Sequence, residues 1–398
     1  MATLLKTPEP ATPDRETAID PHGTYTIAGN RIRILERGED RLKALLGLIV
    51  DAKRSLRLLF YIYADDRAGA QVRDALIAAA ERGVHVSLMV DGFGSAAGDR
   101  FFAPLEAAGA EVCRFSPRFG RRYLLRNHQK LALADEARVI VGGFNVEDDY
   151  FGRGDAWRDL GLLIEGHTVS RLARYYDALV RWASQPKGKL RDLGRLINRW
   201  SEKEGQVRWL LGGPTKRLSP WARALRTDLA RGKRIDLIVA YFTPSVSILR
   251  RIRRARKRGG EVRLVTAAKS DNQATIAAAR FLYPRLLRNG VRIYEYLAAK
   301  LHTKLFVIDD VVHVGSANFD IRSLFLNMEI MLRIDDPTFA AAMRAYIDGE
   351  VAESHEMTLD EMEDSGWLTR IRRAMAYFVV AILDGNITRR LNFGPDGK

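Results

Sequence analysis

One short pattern occurs twice in this chain, far apart, and it constrains the fold more than any other feature. His128-Gln129-Lys130 is followed after four residues by Asp135, and His302-Thr303-Lys304 is followed after four residues by Asp309. Each copy leads into a small-residue turn that ends in Asn: Gly142, Gly143 and Asn145 in the first, Gly315, Ser316 and Asn318 in the second. The chain holds only seven histidines in 398 residues, so two settings this similar argue for an internal duplication. Alternation along a strand puts the His and Lys of each H-x-K on one face and the residue between them on the other.

The flanks repeat as well. Arg100-Phe101 with Pro104-Leu105 recurs as Arg280-Phe281 with Pro284 and Leu286, and a Gly then precedes a strand at Glu111 to Phe115 and at Val291 to Tyr296. Upstream, the strand Val84 to Val90 matches Glu261 to Val265, and the opening strand Leu58 to Ile62 matches Ile235 to Phe242. Strands that alternate with helices predict an α/β fold with a largely parallel sheet in each half.

This reading divides the chain into a disordered tail at 1–23, a first lobe at 24–184, a basic linker at 185–215, a second lobe at 216–335 and a helical tail at 336–398. The linker opens on Gln185-Pro186-Lys187-Gly188-Lys189. Leu190, Leu193, Leu196, Ile197 and Trp200 then fall at helical spacing with Arg191, Arg195 and Arg199 between them. A helix packed on the core is preferred there to a basic surface lying on lipid. In the last segment Trp367, Leu368, Ile371, Met375, Phe378 and Val379 recur at helical spacing, with Arg370, Arg372 and Arg373 before the apolar stretch and Arg389 and Arg390 after it. A closing helix and an interfacial helix fit that pattern equally.

No segment is long and apolar enough to span a bilayer; Met375 to Leu383 is the best and is too short. The excess of 64 Lys and Arg over 49 Asp and Glu gives +15, which suits a polyanionic partner, either nucleic acid or an anionic membrane. The single cysteine, Cys113, excludes an intramolecular disulfide and reads as a buried thiol.

Two His, two Lys and two Asn are what a phosphodiester-splitting site needs if it works without metal. One imidazole attacks phosphorus and forms a phosphohistidine, and the other protonates the leaving oxygen and later deprotonates the acceptor. Lys130 and Lys304 supply positive charge, while Asn145 and Asn318 donate amide hydrogens to the phosphoryl oxygens. A nucleophilic imidazole also needs a partner on its other nitrogen. Glu329 is the candidate for His302, and Asp159 the candidate for His128, with Asp155 as a competitor. Asp135 and Asp309, at the ends of the His strands, read as turn-fixing groups rather than acid/base catalysts. His22, His85, His167, His313 and His355 lack metal-ligand spacing, so no metal and no cofactor is expected.

These residues resemble the phospholipase D superfamily, whose signature is the doubled H-x-K-x4-D with its downstream Gly and Asn. The flanking pieces are similar to the bacterial cardiolipin synthase branch: Asp91-Gly92-Phe93-Gly94-Ser95, Trp157-Arg158-Asp159, Ala240-Tyr241-Phe242-Thr243-Pro244, Arg322-Ser323 and Asn327-Met328-Glu329. The resemblance covers about residues 30–335. It implies two pseudo-symmetric α/β/α lobes with one site at their interface, and motif residues His128, Lys130, Asp135, His302, Lys304 and Asp309. It implies His128 as nucleophile and His302 as acid/base, which the residues themselves do not separate. It also implies transfer of a phosphatidyl group between two phosphatidylglycerol molecules on an anionic membrane, with the protein peripheral on the cytoplasmic face of the cell membrane.

A hydrolase or a nuclease would share the same two-histidine chemistry. Arg118, Arg121, Arg122 and Tyr123, just before the first motif, suit lipid or nucleic acid alike, and a non-catalytic lipid-binding scaffold would not need two intact motifs. The flanking pieces favour lipid over nucleic acid.

Overall fold

A computed structural model describes residues 23–116, 125–152, 156–185, 189–215, 217–270 and 272–383. The readings for the N-terminal tail, for Arg118, Arg121, Arg122 and Tyr123, for Asp155, and for Arg389 and Arg390 lie outside these residues, as does most of the 185–189 opening.

The duplication is visible as two eight-stranded sheets. Across the first, the strands run in the order Thr24–Ile27, Asn30–Leu35, Gly161–Glu165, Arg138–Gly142, Leu131–Ala134, Ser55–Phe60, His85–Asp91, Glu111–Phe115. Across the second they run Val207–Gly212, Glu329–Asp335, Val311–Gly315, Lys304–Ile308, Arg234–Val239, Glu261–Ala267, Arg292–Tyr296, Ser354–Glu356. The α/β character and the equivalence of the halves are as expected.

The pairing is not largely parallel. In each sheet only the three strands joined through helices run parallel, Ser55–Phe60 with His85–Asp91 and Glu111–Phe115, and Arg234–Val239 with Glu261–Ala267 and Arg292–Tyr296. Every other neighbour is antiparallel, including each motif strand and the next, which a tight hairpin joins in reversed direction.

Two further boundaries move. Val207–Gly212, inside the supposed linker, is an edge strand of the second sheet, paired with Glu329–Asp335. Beyond residue 335, the helix Pro337–Ala352 buries Phe339, Met343, Tyr346 and Ile347, and Ser354–Glu356 pairs with the strand Arg292–Tyr296, so both belong to the second lobe. Asp336 caps that helix by accepting from the Phe339 amide at 2.8 Å, with Pro337 at its first turn. The helix Leu190–Trp200 packs on the core through buried Leu193 and Ile197, with Leu190, Leu196 and Trp200 half-buried beside them.

The core has three parts. One cluster takes residues from both lobes, including Leu131, Val139, Leu305, Val312, Tyr175 and Phe339, and locks the lobes together. Each lobe adds its own cluster between its sheet and its remaining helices. Cys113 is half-buried on its strand, and burial pushes its thiol up.

Candidate active site

The site is assembled where the chain leaves one lobe's sheet and pairs with the other lobe. His128 and His302 each stand just before a central strand, Leu131–Ala134 or Lys304–Ile308. Neither is held there by its own sheet. The His128 amide donates to the Met328 carbonyl at 2.9 Å, and the Met328 amide donates to the Arg126 carbonyl at 2.9 Å, forming a parallel bridge. On the other side Lys300 and Leu301 pair in parallel with Trp157 and Arg158, and the His302 amide donates to the Arg158 carbonyl at 2.8 Å.

Each bridge therefore seats a histidine beside the acid of the opposite lobe. Met328 precedes Glu329, and His128 Nδ1 lies 3.2 Å from Glu329 Oε2. Arg158 precedes Asp159, and His302 Nδ1 lies 2.6 Å from Asp159 Oδ2. This reverses the expected assignment, which paired each histidine with the acid of its own half. The comparable spacing from His to acid in each half reflects the repeat; the contact itself is made by the cross-lobe bridges, which exchange the partners.

The residue between His and Lys fixes each segment from behind. Gln129 donates to the Glu329 carbonyl at 3.0 Å and accepts from the Tyr175 hydroxyl at 2.8 Å. Thr303 donates to the Arg158 carbonyl at 3.3 Å. On the facing side Lys130 Nζ donates to the His128 carbonyl at 2.7 Å, and Lys304 Nζ donates to the His302 carbonyl.

Both histidines line one cavity of about 520 Å³, together with Asn145, Asn318 and aromatic walls. Tyr61 lies against His128 with ring centres 4.9 Å apart, and Lys130 Nζ sits 5.1 Å from the Tyr61 ring. Tyr150 and Trp157 enclose His302 at 5.2 and 5.3 Å. Asn145 accepts from the Ile62 amide at 3.1 Å and donates to the Tyr150 hydroxyl at 3.0 Å, which leaves one amide hydrogen for a ligand. Asn318 is buried in the cavity wall, its Oδ1 unpartnered among the described residues.

The electrostatics of the two halves differ. Burial, reinforced by Lys130 and Lys304, holds His128 well below the ordinary imidazole range. Burial and Lys304 likewise lower His302, to about 3, against the pull of Asp159. With only protein charges acting, both rings are neutral at pH 7. Burial also lowers Lys130 to about 7. The two acids diverge. Burial pushes Asp159 up, but His302, Lys304 and Arg41 outweigh it and keep the carboxyl below its usual value. Burial dominates at Glu329 and raises it to about 8. Asp159 is thus an ionised partner for His302, while Glu329 leans toward the neutral acid beside His128.

Asp135 and Asp309 lie at the far ends of the motif strands and take no part in the cavity. Asp135 accepts from the amides of Lys53, Arg54 and Ser55 at 2.9, 2.7 and 2.9 Å. Asp309 accepts from Lys233 and Arg234 at 3.0 and 2.9 Å. Both have positive φ, 54° and 48°, at the hairpin corner. Asp tolerates that conformation better than most residues, and its carboxylate staples the corner to the start of the neighbouring strand. Although the resemblance counts them among the motif residues, their contacts fix the hairpin that carries the Lys and His.

Three comparisons with known proteins bear on this site. The family model described as "Cardiolipin synthase, PLD-like domain" matches residues 45–180 and 225–350, one segment per lobe. Cardiolipin synthase A of Pectobacterium carotovorum is 30% identical over 377 residues, covering 91% of this chain and 77% of the relative.

The chain belongs to the phospholipase D-like cardiolipin synthase family.

Cardiolipin synthase 1 of Bacillus cereus is 32% identical over 317 residues, covering 75% of this chain and 62% of that protein. Among solved structures, phosphatidylserine synthase of Haemophilus influenzae superposes with a TM-score of 0.70 at 13% identity, covering 91% of this chain and 94% of the other, which shows a shared fold. Within this cardiolipin synthase-like chain two aromatic cavity residues, Tyr61 and Tyr150, carried no signal of their own in the sequence. They come from separate segments and meet only in the cavity, beside Arg126 and Arg322. Asp91, buried beside the cavity, accepts from the amides of Asn127, Phe93 and Gly94 at 2.7, 2.9 and 3.0 Å and so fixes the approach to His128. Its place in the segment Asp91 to Ser95, similar to the cardiolipin synthase branch, was the available clue.

Proposed function

We propose that this protein is a phosphatidyltransferase that makes cardiolipin and glycerol from two molecules of phosphatidylglycerol, working peripherally on the cytoplasmic face of an anionic membrane. The observation that carries the reading is the pair of imidazoles in one cavity, each held through Nδ1 by a buried acid of the opposite lobe. Membership of the cardiolipin synthase family supports the substrate.

His128 Nε2 attacks phosphorus of the first lipid. The bond from phosphorus to the glycerol headgroup oxygen breaks, and His302 gives that oxygen a proton. The phosphodiester brings the negative charge that lets His302 carry this proton, and ionised Asp159 stabilises the imidazolium. Glu329, leaning neutral, leaves His128 uncharged and nucleophilic. Lys130, Lys304 and the amides of Asn145 and Asn318 stabilise charge on the phosphoryl oxygens. In the second half the primary hydroxyl of another phosphatidylglycerol gives its proton to His302. Its oxygen attacks phosphorus, and the phosphorus–nitrogen bond breaks.

The test is purified protein with phosphatidylglycerol vesicles and a chelator, products read by mass. Cardiolipin and glycerol are expected. Phosphatidic acid alone would make the protein a hydrolase, and cleavage of DNA without lipid turnover would make it a nuclease.

A further inference from the structure

The helix Trp367–Tyr377 buries none of its residues. It lies along the helix Gln273–Leu287, held there by stacking of Tyr377 on Phe281 at 4.8 Å. Its opposite side is an open apolar stripe. Trp367, Leu368, Ile371 and Met375, followed by Phe378 and Val379 in the turn of π-helix Phe378–Leu383, are all exposed, Trp367 by 68% and Leu368 by 65%. Helical spacing gathers these six on one face, with Arg370 and Arg372 on its two flanks.

The stripe runs into the reaction chamber. Val379 and Val380 line the catalytic cavity, and Val379 also lines a groove of about 600 Å³ between the two helices. Another exposed apolar residue, Phe93, 66% exposed, stands on the cavity wall under the Arg126 guanidinium, 3.9 Å from its ring centre. Apolar surface continuous with the mouth of a site, bordered by arginines, suits an interface with anionic headgroups outside and acyl chains beneath. Among the described residues no helix is long and apolar enough to cross a membrane, so attachment through them is from the surface.

We propose that this stripe is the face by which the protein docks on an anionic lipid bilayer, with the helix lying in the headgroup layer and the cavity mouth turned toward the lipid. The proposal rests on the phosphatidyl-lipid reading of the cavity, and it selects the packed and exposed sides of a helix whose sequence pattern fitted either. A second copy of the chain or another protein on the same stripe would be a different occupant. The arginine flanks and the continuity with a lipid-handling cavity favour the bilayer.

Co-sedimentation of the full chain with mixed phosphatidylglycerol and phosphatidylcholine vesicles tests it. The triple substitution Trp367→Glu, Leu368→Glu, Ile371→Glu touches no cavity residue. It is expected to weaken vesicle binding at least about tenfold and to leave turnover of a monomeric short-chain phosphatidylglycerol within about twofold. Should the triple variant fold poorly, Trp367→Phe serves: lipids brominated in their acyl chains are expected to quench the wild-type tryptophan fluorescence and the variant less. Vesicle binding or quenching that is unchanged by these substitutions overturns the proposal. So does a wild-type dimer that the triple variant splits while vesicle binding persists. Failure of the reaction reads differently: stripe-dependent vesicle binding without turnover of any phosphatidylglycerol supports docking and refutes the chemistry, whereas turnover of short-chain lipid without vesicle binding refutes docking alone.

Discussion

The two halves of the site share a motif and a fold, yet their acids sit in different surroundings. Asp159 lies directly against Gly143, where a Cβ would stand 2.5 Å from the carboxylate oxygen. The equivalent position in the other half is Ser316. Its hydroxyl donates to Glu329 Oε2 and accepts from the Ile330 amide at 3.0 Å. Asp159, held down by His302, Lys304 and Arg41, stays ionised and grips its histidine at 2.6 Å; at Glu329 burial outweighs Lys130 and the Ser316 hydroxyl, and the acid drifts toward the neutral form and holds its histidine at 3.2 Å. Duplication supplies two chemically equal imidazoles, and the second layer of contacts makes them unequal. That inequality is what a two-step transfer needs, since one ring must attack while the other carries a proton.

The comparison breaks first at the histidines. His128→Ala and His302→Ala are each expected to reduce turnover by about 10⁴-fold or more, measured with phosphatidylglycerol. A substrate with a p-nitrophenol leaving group needs no proton, so it is expected to restore the first step in His302→Ala and not in His128→Ala. Restoration in the opposite variant would exchange the two roles.

The acids come next. Asp159→Asn is expected to lower kcat by about 10²- to 10⁴-fold, because it removes the charge that supports the His302 imidazolium. Glu329→Gln mimics the neutral acid and is expected to lower it only about tenfold. Equal losses would erase the distinction between the halves.

Stability sharpens the same contrast. Asp135→Ala and Asp309→Ala are each expected to destabilise by about 2 kcal/mol in denaturant unfolding while folded enzyme retains most of its turnover. A selective loss of kcat at unchanged stability would return these aspartates to the chemistry.

The smallest effects lie in the pH dependence of stability. The Asp159 carboxyl is depressed in the folded protein, so its contribution is present above the unfolded value and is lost as pH falls through the folded one. The penalty of Asp159→Asn is therefore expected to be largest near pH 7 and to shrink in acid. Glu329 is raised to about 8, so its contribution is present below the unfolded value, near 4.3, and is lost as pH rises through 8. Glu329→Gln is expected to gain stability relative to wild type between about pH 5 and 8. Melting temperatures across pH 4 to 9 give both signs.

Much of this was legible along the chain. The H-x-K alternation located His128, Lys130, His302 and Lys304, because strand geometry is local and puts both side chains on one face. The small residues after each motif marked the turns that present Asn145 and Asn318. The antiparallel majority of each sheet was not legible, because strand direction follows from which strands become neighbours. The second-lobe strand Val207–Gly212 was also missed, since its partner Glu329–Asp335 lies more than a hundred residues away along the chain.

The sequence by itself determined which residues are candidates for the chemistry and that they come in two equivalent sets, since a repeated local pattern needs no partner to be read. Only the tertiary structure decided which acid serves which histidine. His128 reaches across 201 residues to Glu329 and His302 across 143 to Asp159, through two backbone bridges between the lobes. Spacing along a chain records ancestry and local geometry. Contact between two lobes is set by how their edges pair, and here that pairing crosses the halves over.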